Sequence, residues 1–252
     1  MTDTRIDEFL GGRLRIEQPV AGYRAGADAV MLGAACHAGP GQSVLELGCG
    51  AGVASLCVAV RVPGVLLNGV ERDPGYAALA RANGLRNGIE MQVCQADLSR
   101  LPAVLRAQDF DHVLMNPPYF AAGTPSADAA RSGARHEDTP LADWIDTALR
   151  RLRPAGHITI IHLAERLDGI LTGLSGRAGG VVILPIAARD GRPAGRVIVQ
   201  ARKGARAPLR LLAPFVMHDG ASHQNDAENL SKNAQAILRH AAALALNPGK
   251  YG

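Results

Sequence analysis

The sequence predicts an α/β fold that opens on a nucleotide-binding βαβ unit. Three adjacent segments carry that prediction. Ser43-Val44-Leu45-Glu46-Leu47 is a short apolar strand, Gly48-Cys49-Gly50-Ala51-Gly52 follows it directly, and Val53 to Val60 is a helix-like apolar run. Strand, glycine-rich turn and helix in immediate succession form the start of such a unit. Glycine is needed where a backbone turns sharply and comes close to a ligand with no Cβ in the way. The helix N-terminus behind the turn favours anionic or polar ligand groups.

The spacing discriminates between cofactors. A dinucleotide fingerprint is G-x-G-x-x-G, whereas this chain has G-x-G-x-G with Val53 where the third glycine would fall. Glu46 precedes the first glycine and puts a carboxylate at the strand end. A carboxylate there would repel a pyrophosphate but suits a cationic amino acid. S-adenosylmethionine, with its ammonium and sulfonium, fits better than a dinucleotide. The next strand, Val65 to Val70, ends in Glu71, 23 residues after Gly48. An acid at that distance can bind ribose hydroxyls. A helix follows, with Asp73 as its cap, Pro74 in its first turn and Asn87-Gly88 at its exit. Glu90 to Cys94 is the third strand, closed by Ala96-Asp97. Asp97 is placed to meet the adenine amino group of the cofactor, and it equally suits an N-cap for the segment after it.

Asp111-His112-Val113-Leu114-Met115 is an apolar strand that stops at Asn116-Pro117-Pro118-Tyr119. Two consecutive prolines cannot donate to a sheet ladder, and the residue before a proline is held extended, which aims the Asn116 side chain. The result is a rigid corner offering an amide, carbonyl oxygens and an aromatic ring. That set suits a planar group bearing an exocyclic NH2: the oxygens accept its two N–H bonds and the ring stacks on its face.

Tyr119 to Pro140 is a long polar loop in which Arg131, Arg135 and His136 could meet phosphates, or simply be solvated. Leu141 to Leu152 is a helix with Trp144, Ile145, Ala148, Leu149 and Leu152 at core spacing. A strand runs through Ile158, Ile160 and Ile161, and Glu165 to Leu174 is a further helix. Val181 to Pro185 and Arg196 to Ala201 are β-rich runs separated by the turn signal Asp190-Gly191-Arg192-Pro193. Arg189, Arg192, Arg196, Arg202, Lys203, Arg206 and Arg210 gather about them, a second choice after the long loop for meeting phosphates, or else protection of a sheet edge. Asp226 to Leu246 is helix-like, and Asn247-Pro248-Gly249 is a turn.

Together these motifs resemble the class I S-adenosylmethionine-dependent methyltransferases of the amino-methylating type. Glu46 to Gly52 matches the first motif, Glu71 the second-strand acid, Asp97 the third-strand acid and Asn116 to Tyr119 the catalytic motif. Asp7 to Leu14, Gln18-Pro19 and Gly22 to Leu32 look like the bacterial family that methylates N6 of an adenine beside the anticodon of valine tRNA. The resemblance implies a Rossmann-like fold with a seven-stranded, mainly parallel sheet and an antiparallel C-terminal hairpin. It implies a segment over residues 1–35 capping the cofactor site, a methyltransferase domain over 36–210 and a helical extension over 211–252. Glu46, Gly48, Gly50, Gly52, Glu71, Asp97, Arg24, Asp28 and Asn116 would bind the cofactor. Asp28 could instead be the N-cap of the helix that follows it.

The implied reaction is direct displacement by the exocyclic nitrogen. Asn116 and the Pro117 carbonyl accept its protons, and Tyr119 stacks on a base extruded from its helix or loop. The same tetrapeptide serves guanine-N2 rRNA methyltransferases and glutamine-N5 protein methyltransferases. The latter carry a sizeable helical region ahead of the first motif, and only 45 residues precede Glu46 here. A non-catalytic cofactor- or RNA-binding protein of the same fold is the remaining alternative.

Composition adds bounds. With 252 residues, 47% of them hydrophobic, the chain can bury a substantial core. No stretch is long enough to cross a bilayer and no signal peptide is visible, so a cytoplasmic protein is expected. Cys36, Cys49, Cys57 and Cys94 form no C-x-x-C pair, and neither a disulfide framework nor a metal site is expected. The net charge of +4 permits an RNA partner without requiring one.

Overall fold

The computed structural model describes residues 3–119, 139–220 and 229–246. Arg131, Arg135, His136 and the Asn247-Pro248-Gly249 turn lie outside the described residues, as do positions 226–228 of the helix expected from Asp226.

The chain begins with a hairpin of β1 (Thr4–Phe9) and β2 (Leu14–Pro19), joined through Leu10, Gly11 and Gly12, all at positive φ. Leu14 and Ile16 are buried while Arg15 between them is exposed, the period of two expected of a strand covered on one face. Helix α1 (Ala27–Ala35) is apolar almost all round and buried from Ala29 onward. Then come β3 (Ser43–Leu47), α2 (Val53–Arg61), β4 (Leu66–Glu71), α3 (Pro74–Arg86), β5 (Met91–Gln95), α4 (Ala103–Arg106) and β6 (Phe110–Met115). The second half holds α5 (Leu141–Arg151), β7 (Leu152–Leu163), α6 (Leu167–Leu174), β8 (Ala178–Arg189), β9 (Ala194–Lys203), β10 (Arg210–Leu211), β11 (Phe215–His218) and α7 (Lys232–His240).

Among the described residues, one nine-stranded sheet runs in the order β10-β8-β9-β7-β6-β3-β4-β5, with β11 also paired to β8. Strands β3 to β7 are mutually parallel, and β9 runs antiparallel to both β7 and β8. The expected seven strands are therefore corrected to nine. The two extra strands are short, flanked by Pro208 and Pro214, and only partly covered. Such segments read as loop, because proline and brevity both suppress a strand signal. Likewise, the segment beyond residue 210, expected to be helical, first adds β11 to the sheet. Its helix α7 is nine residues long and ends where Ala241 turns to a φ of 57°.

Side chains alternate across the sheet, and both faces are covered, as a parallel sheet requires. Val44, Leu67 and Leu114 join the core beneath α1, α2 and α7. Leu45, Leu47, Val113 and Met115 join the opposite core beneath α4, α5 and α6. On α5 the buried residues are Trp144, Ile145, Ala148 and Leu149, the stripe the spacing predicts.

The register positions the site. Leu47 pairs with Met115, so the glycine turn and the diproline corner leave neighbouring strands side by side. Glu71 and Gln95 pair in the same way one and two strands further on. From β3 the chain proceeds outward through β4 and β5, then returns to β6 on its other flank. That reversal is the switch point at which open α/β sheets bind ligands. Among the described residues no helix is long and apolar enough to cross a membrane.

Candidate active site

The glycine turn has the left-handed backbone its composition demands: φ is 64° at Gly48, 52° at Gly50 and 86° at Gly52. A Cβ on Gly48 would lie 2.5 Å from Cη2 of Trp144, so the buried indole of α5 supports the turn from beneath. Gly52 is the N-cap of α2.

Glu46 is only 4% exposed. Its Oε2 accepts from the Ser55 backbone N–H at 2.9 Å and the Ser55 hydroxyl at 2.6 Å. Burial lifts its pKa to about 7, against the pull of the Ser55 hydrogen bonds. A folded value above the unfolded one stabilises the fold below the ordinary carboxylate range and is lost as pH rises through about 7. The donor-free protein should therefore lose melting temperature between about pH 5 and about pH 8 more steeply than a Glu46→Gln variant, measured by calorimetry across that range.

Glu71 is held at both oxygens: Oε2 accepts from the Gly50 N–H and Oε1 from the Asp73 N–H, each at 2.9 Å. Each carboxylate oxygen keeps a further lone pair. The carboxylate is thus locked against the glycine turn with acceptor capacity left for hydroxyls. Asp97 caps the short helical turn after it: Oδ1 accepts from the Ser99 N–H and hydroxyl, and those bonds pull its pKa down. Its Oδ2 does not take part in the cap.

At the diproline corner, Pro117 is buried and Pro118 exposed. The Tyr119 hydroxyl lies 2.6 Å from Asp28 Oδ2 and 2.9 Å from Asn116 Oδ1. A phenol has one proton, so it serves one of these acceptors at a time. The carboxyl of Asp28 is the shorter contact and the stronger acceptor. Asp28 therefore draws the proton away from Asn116 and leaves the amide oxygen available. Burial and Asp28 both push the Tyr119 pKa up, so the phenol stays protonated.

Two more side chains fix this ring. The Arg196 guanidinium lies 4.6 Å from the Tyr119 centroid and its Nε donates to Asp28 Oδ2 at 3.0 Å. His162 meets the ring edge-on at 5.2 Å between centroids. Burial lowers the His162 pKa to about 4, so it is neutral there.

Tyr23 joins the two motifs. Its ring is 3.8 Å from where a Gly50 Cβ would be, and its hydroxyl accepts from Asn116 Nδ2 at 3.4 Å. The glycine turn and the catalytic corner are thus one aromatic ring apart. Arg24 is placed differently from its neighbours: its Nη2 donates to Asp7 Oδ2 at 2.6 Å, which ties the segment ahead of α1 to β1. The N-cap of α1 is Gly26, and Asp28 sits in the first turn instead.

Ser55, His162 and Asn83 were not legible in the sequence as site-builders. Asn83 is fully buried and donates to the carbonyls of Glu17 and Ala51 while accepting from the Glu17 N–H, which clamps β2 to the glycine turn. The partners of Asn83 and His162 lie far away in sequence, and Ser55, only nine residues from Glu46, carries no motif of its own. Arg196 was legible only as one arginine of a basic hairpin.

A family profile described as Methyltransferase small domain matches residues 29–166. The chain belongs to that family. The methyltransferase is also 34% identical, over 173 residues, to the tRNA1(Val) (adenine(37)-N6)-methyltransferase of Porphyromonas gingivalis, the match covering 65% of this chain and 68% of that one. The protein of the same name from Dickeya chrysanthemi is 27% identical over 86% of both chains. A solved structure from Agrobacterium tumefaciens, titled a predicted O-methyltransferase, superposes with a TM-score of 0.70 at 28% identity, covering 86% of this chain and 98% of that one. The Thermus thermophilus 16S rRNA N2 G1207 methyltransferase, solved with its methyl donor and guanosine, shares the fold at a TM-score of 0.55 and 21% identity, covering 80% of this chain and 50% of that one.

The methyl donor of this methyltransferase is S-adenosylmethionine. The residues present fit it: the glycine turn is at positive φ throughout its three glycines, and Glu71, fixed by the Gly50 N–H, keeps acceptor capacity for hydroxyls beside it.

Proposed function

We propose that this methyltransferase methylates the exocyclic N6 amine of an adenine in RNA, with tRNA as the substrate. The observation that carries the reading is the geometry of the corner: Asn116 Oδ1 lies 2.9 Å from a Tyr119 hydroxyl that has a second, closer acceptor in Asp28 at 2.6 Å, and the corner leaves the strand next to the one that ends in the glycine turn. The names of the curated relatives supply the RNA class, a valine tRNA adenine. Cytoplasmic action follows from that substrate.

When bound, the donor supplies an electrophilic methyl on its sulfonium. Glu71 would hold the ribose hydroxyls, Asp97 the adenine amine through Oδ2, and Glu46 the amino-acid end behind the glycines. At the other end, Asn116 Oδ1 and the Pro117 carbonyl accept the two protons of the target amine. They push lone-pair density back onto a nitrogen whose electrons are otherwise delocalised into the ring. Tyr119, braced by Arg196 and His162, offers its remaining surface to the extruded base. Positioning does most of the rest.

Transfer of labelled methyl to total tRNA and rRNA, followed by nucleoside mass analysis, tests the reading. N6-methyladenosine in the tRNA fraction is expected, whereas N2-methylguanosine alone would overturn it.

Asp28→Asn separates two roles for that residue. As the acceptor that occupies the Tyr119 proton, its loss lets the phenol compete for Asn116 Oδ1, and kcat should fall by about tenfold with donor affinity intact. As a donor ligand, its loss would fall on the donor Kd instead. Steady-state kinetics and calorimetry on the one variant decide between them.

A further inference from the structure

Beside the catalytic corner, the β8–β9 hairpin and β11 enclose a second concavity, a cleft of about 300 Å³. Its floor is apolar, formed by Met31, Ile186 and Met217, and one wall is Asp28 with Arg196. No residue of the glycine turn lines it, so it is separate from the donor cradle. The volume is at the small end of ligand pockets, room for one base rather than a dinucleotide.

We propose that this cleft holds the nucleobase next to the methylated adenine. The inference rests on the RNA reading above. Arg196 and Asp28 belong to both sites: they brace Tyr119 on one side and line the cleft on the other. A base leaving the Tyr119 site by one phosphodiester step meets that shared wall. Sequence-specific RNA recognition works on such splayed, single-stranded bases, stacked on arginine planes and aromatic or apolar side chains. Met31 and Met217 give an adaptable, polarisable floor for a flat ring. Arg192, exposed at the hairpin tip, is placed to meet the intervening phosphate.

The test is RNA binding by the full-length protein, read by fluorescence anisotropy. The probes are a labelled RNA hairpin with one adenine in its loop and the same hairpin made abasic immediately 5′ or 3′ of that adenine. One of the two abasic RNAs should bind about tenfold more weakly, the cost of one lost stack. Filling the cleft should cost the same. Ala188, exposed on β8, lines it, and so does Gly195, whose added Cβ would meet nothing within 4 Å. Ala188→Phe and Gly195→Leu should each weaken the intact RNA about tenfold and add nothing to the abasic loss. Donor affinity and melting temperature report folding. Equal binding of all three RNAs by the wild type would overturn the proposal, as would fully additive losses. Because the readout is binding, it is independent of transfer. A protein that shows the abasic penalty but forms no N6-methyladenosine would refute the N6-adenine reading alone. A protein that binds none of the RNAs would refute both.

Discussion

Asn116→Ala is expected to cut methyl transfer by about 10³-fold, the scale seen when one preorganised polar group is removed from a reacting centre. Donor affinity should stay near the wild-type value. The reason lies in the corner's inventory. Tyr119 is anchored on Asp28 at 2.6 Å, and its hydroxyl stands 2.9 Å from the amide oxygen rather than in its place. Pro117 contributes one carbonyl only, so the target amine would keep one proton without a protein partner and its lone pair would remain in the ring. Asn116→Asp keeps an acceptor in the same place and should retain more activity than alanine. Single-turnover transfer together with donor calorimetry checks both variants, and normal turnover by the alanine variant would remove the mechanism proposed for the corner.

Gly48→Ala is the second large expected effect. Two costs add at one atom. Alanine at a φ of 64° carries the left-handed penalty of about 1–2 kcal/mol. Its Cβ would also stand 2.5 Å from Cη2 and 2.9 Å from Cζ3 of Trp144, and overpacking of this sort costs about 1–3 kcal/mol more. The variant should melt several degrees lower and bind the donor at least about tenfold more weakly, because a moved turn also moves the Gly50 N–H that orients Glu71. The origin can be separated with a double-mutant cycle. In a Trp144→Leu background the clashing ring is gone, so the Gly48→Ala cost should shrink to the backbone term. An unchanged cost in that background would show that Trp144 does not support the turn.

Most of the architecture was legible because its signals are local. The glycine turn, the acids ending β4 and β5, and the diproline stop after β6 are each written within a few residues, and the apolar stripe of α5 is a periodic pattern. What local pattern could not give is pairing at distance. Arg196 and Asp28 are 168 residues apart and form one ion pair. Asn83 reaches 66 residues back to Glu17. Such contacts follow from the register of the sheet, which single-sequence reasoning does not supply. The strand count failed for a related reason: β10 and β11 are strands only because the edge of β8 is there to receive them.

The central claim is that the glycine turn and the diproline corner form one reaction site. A crystal structure of the protein with S-adenosylhomocysteine tests it most directly. The claim predicts ribose hydroxyls on Glu71 and the thioether sulfur facing the Asn116 side chain, with Tyr119 still on Asp28. A ligand seated away from the glycine turn, or one with its sulfur turned from Asn116, would contradict it.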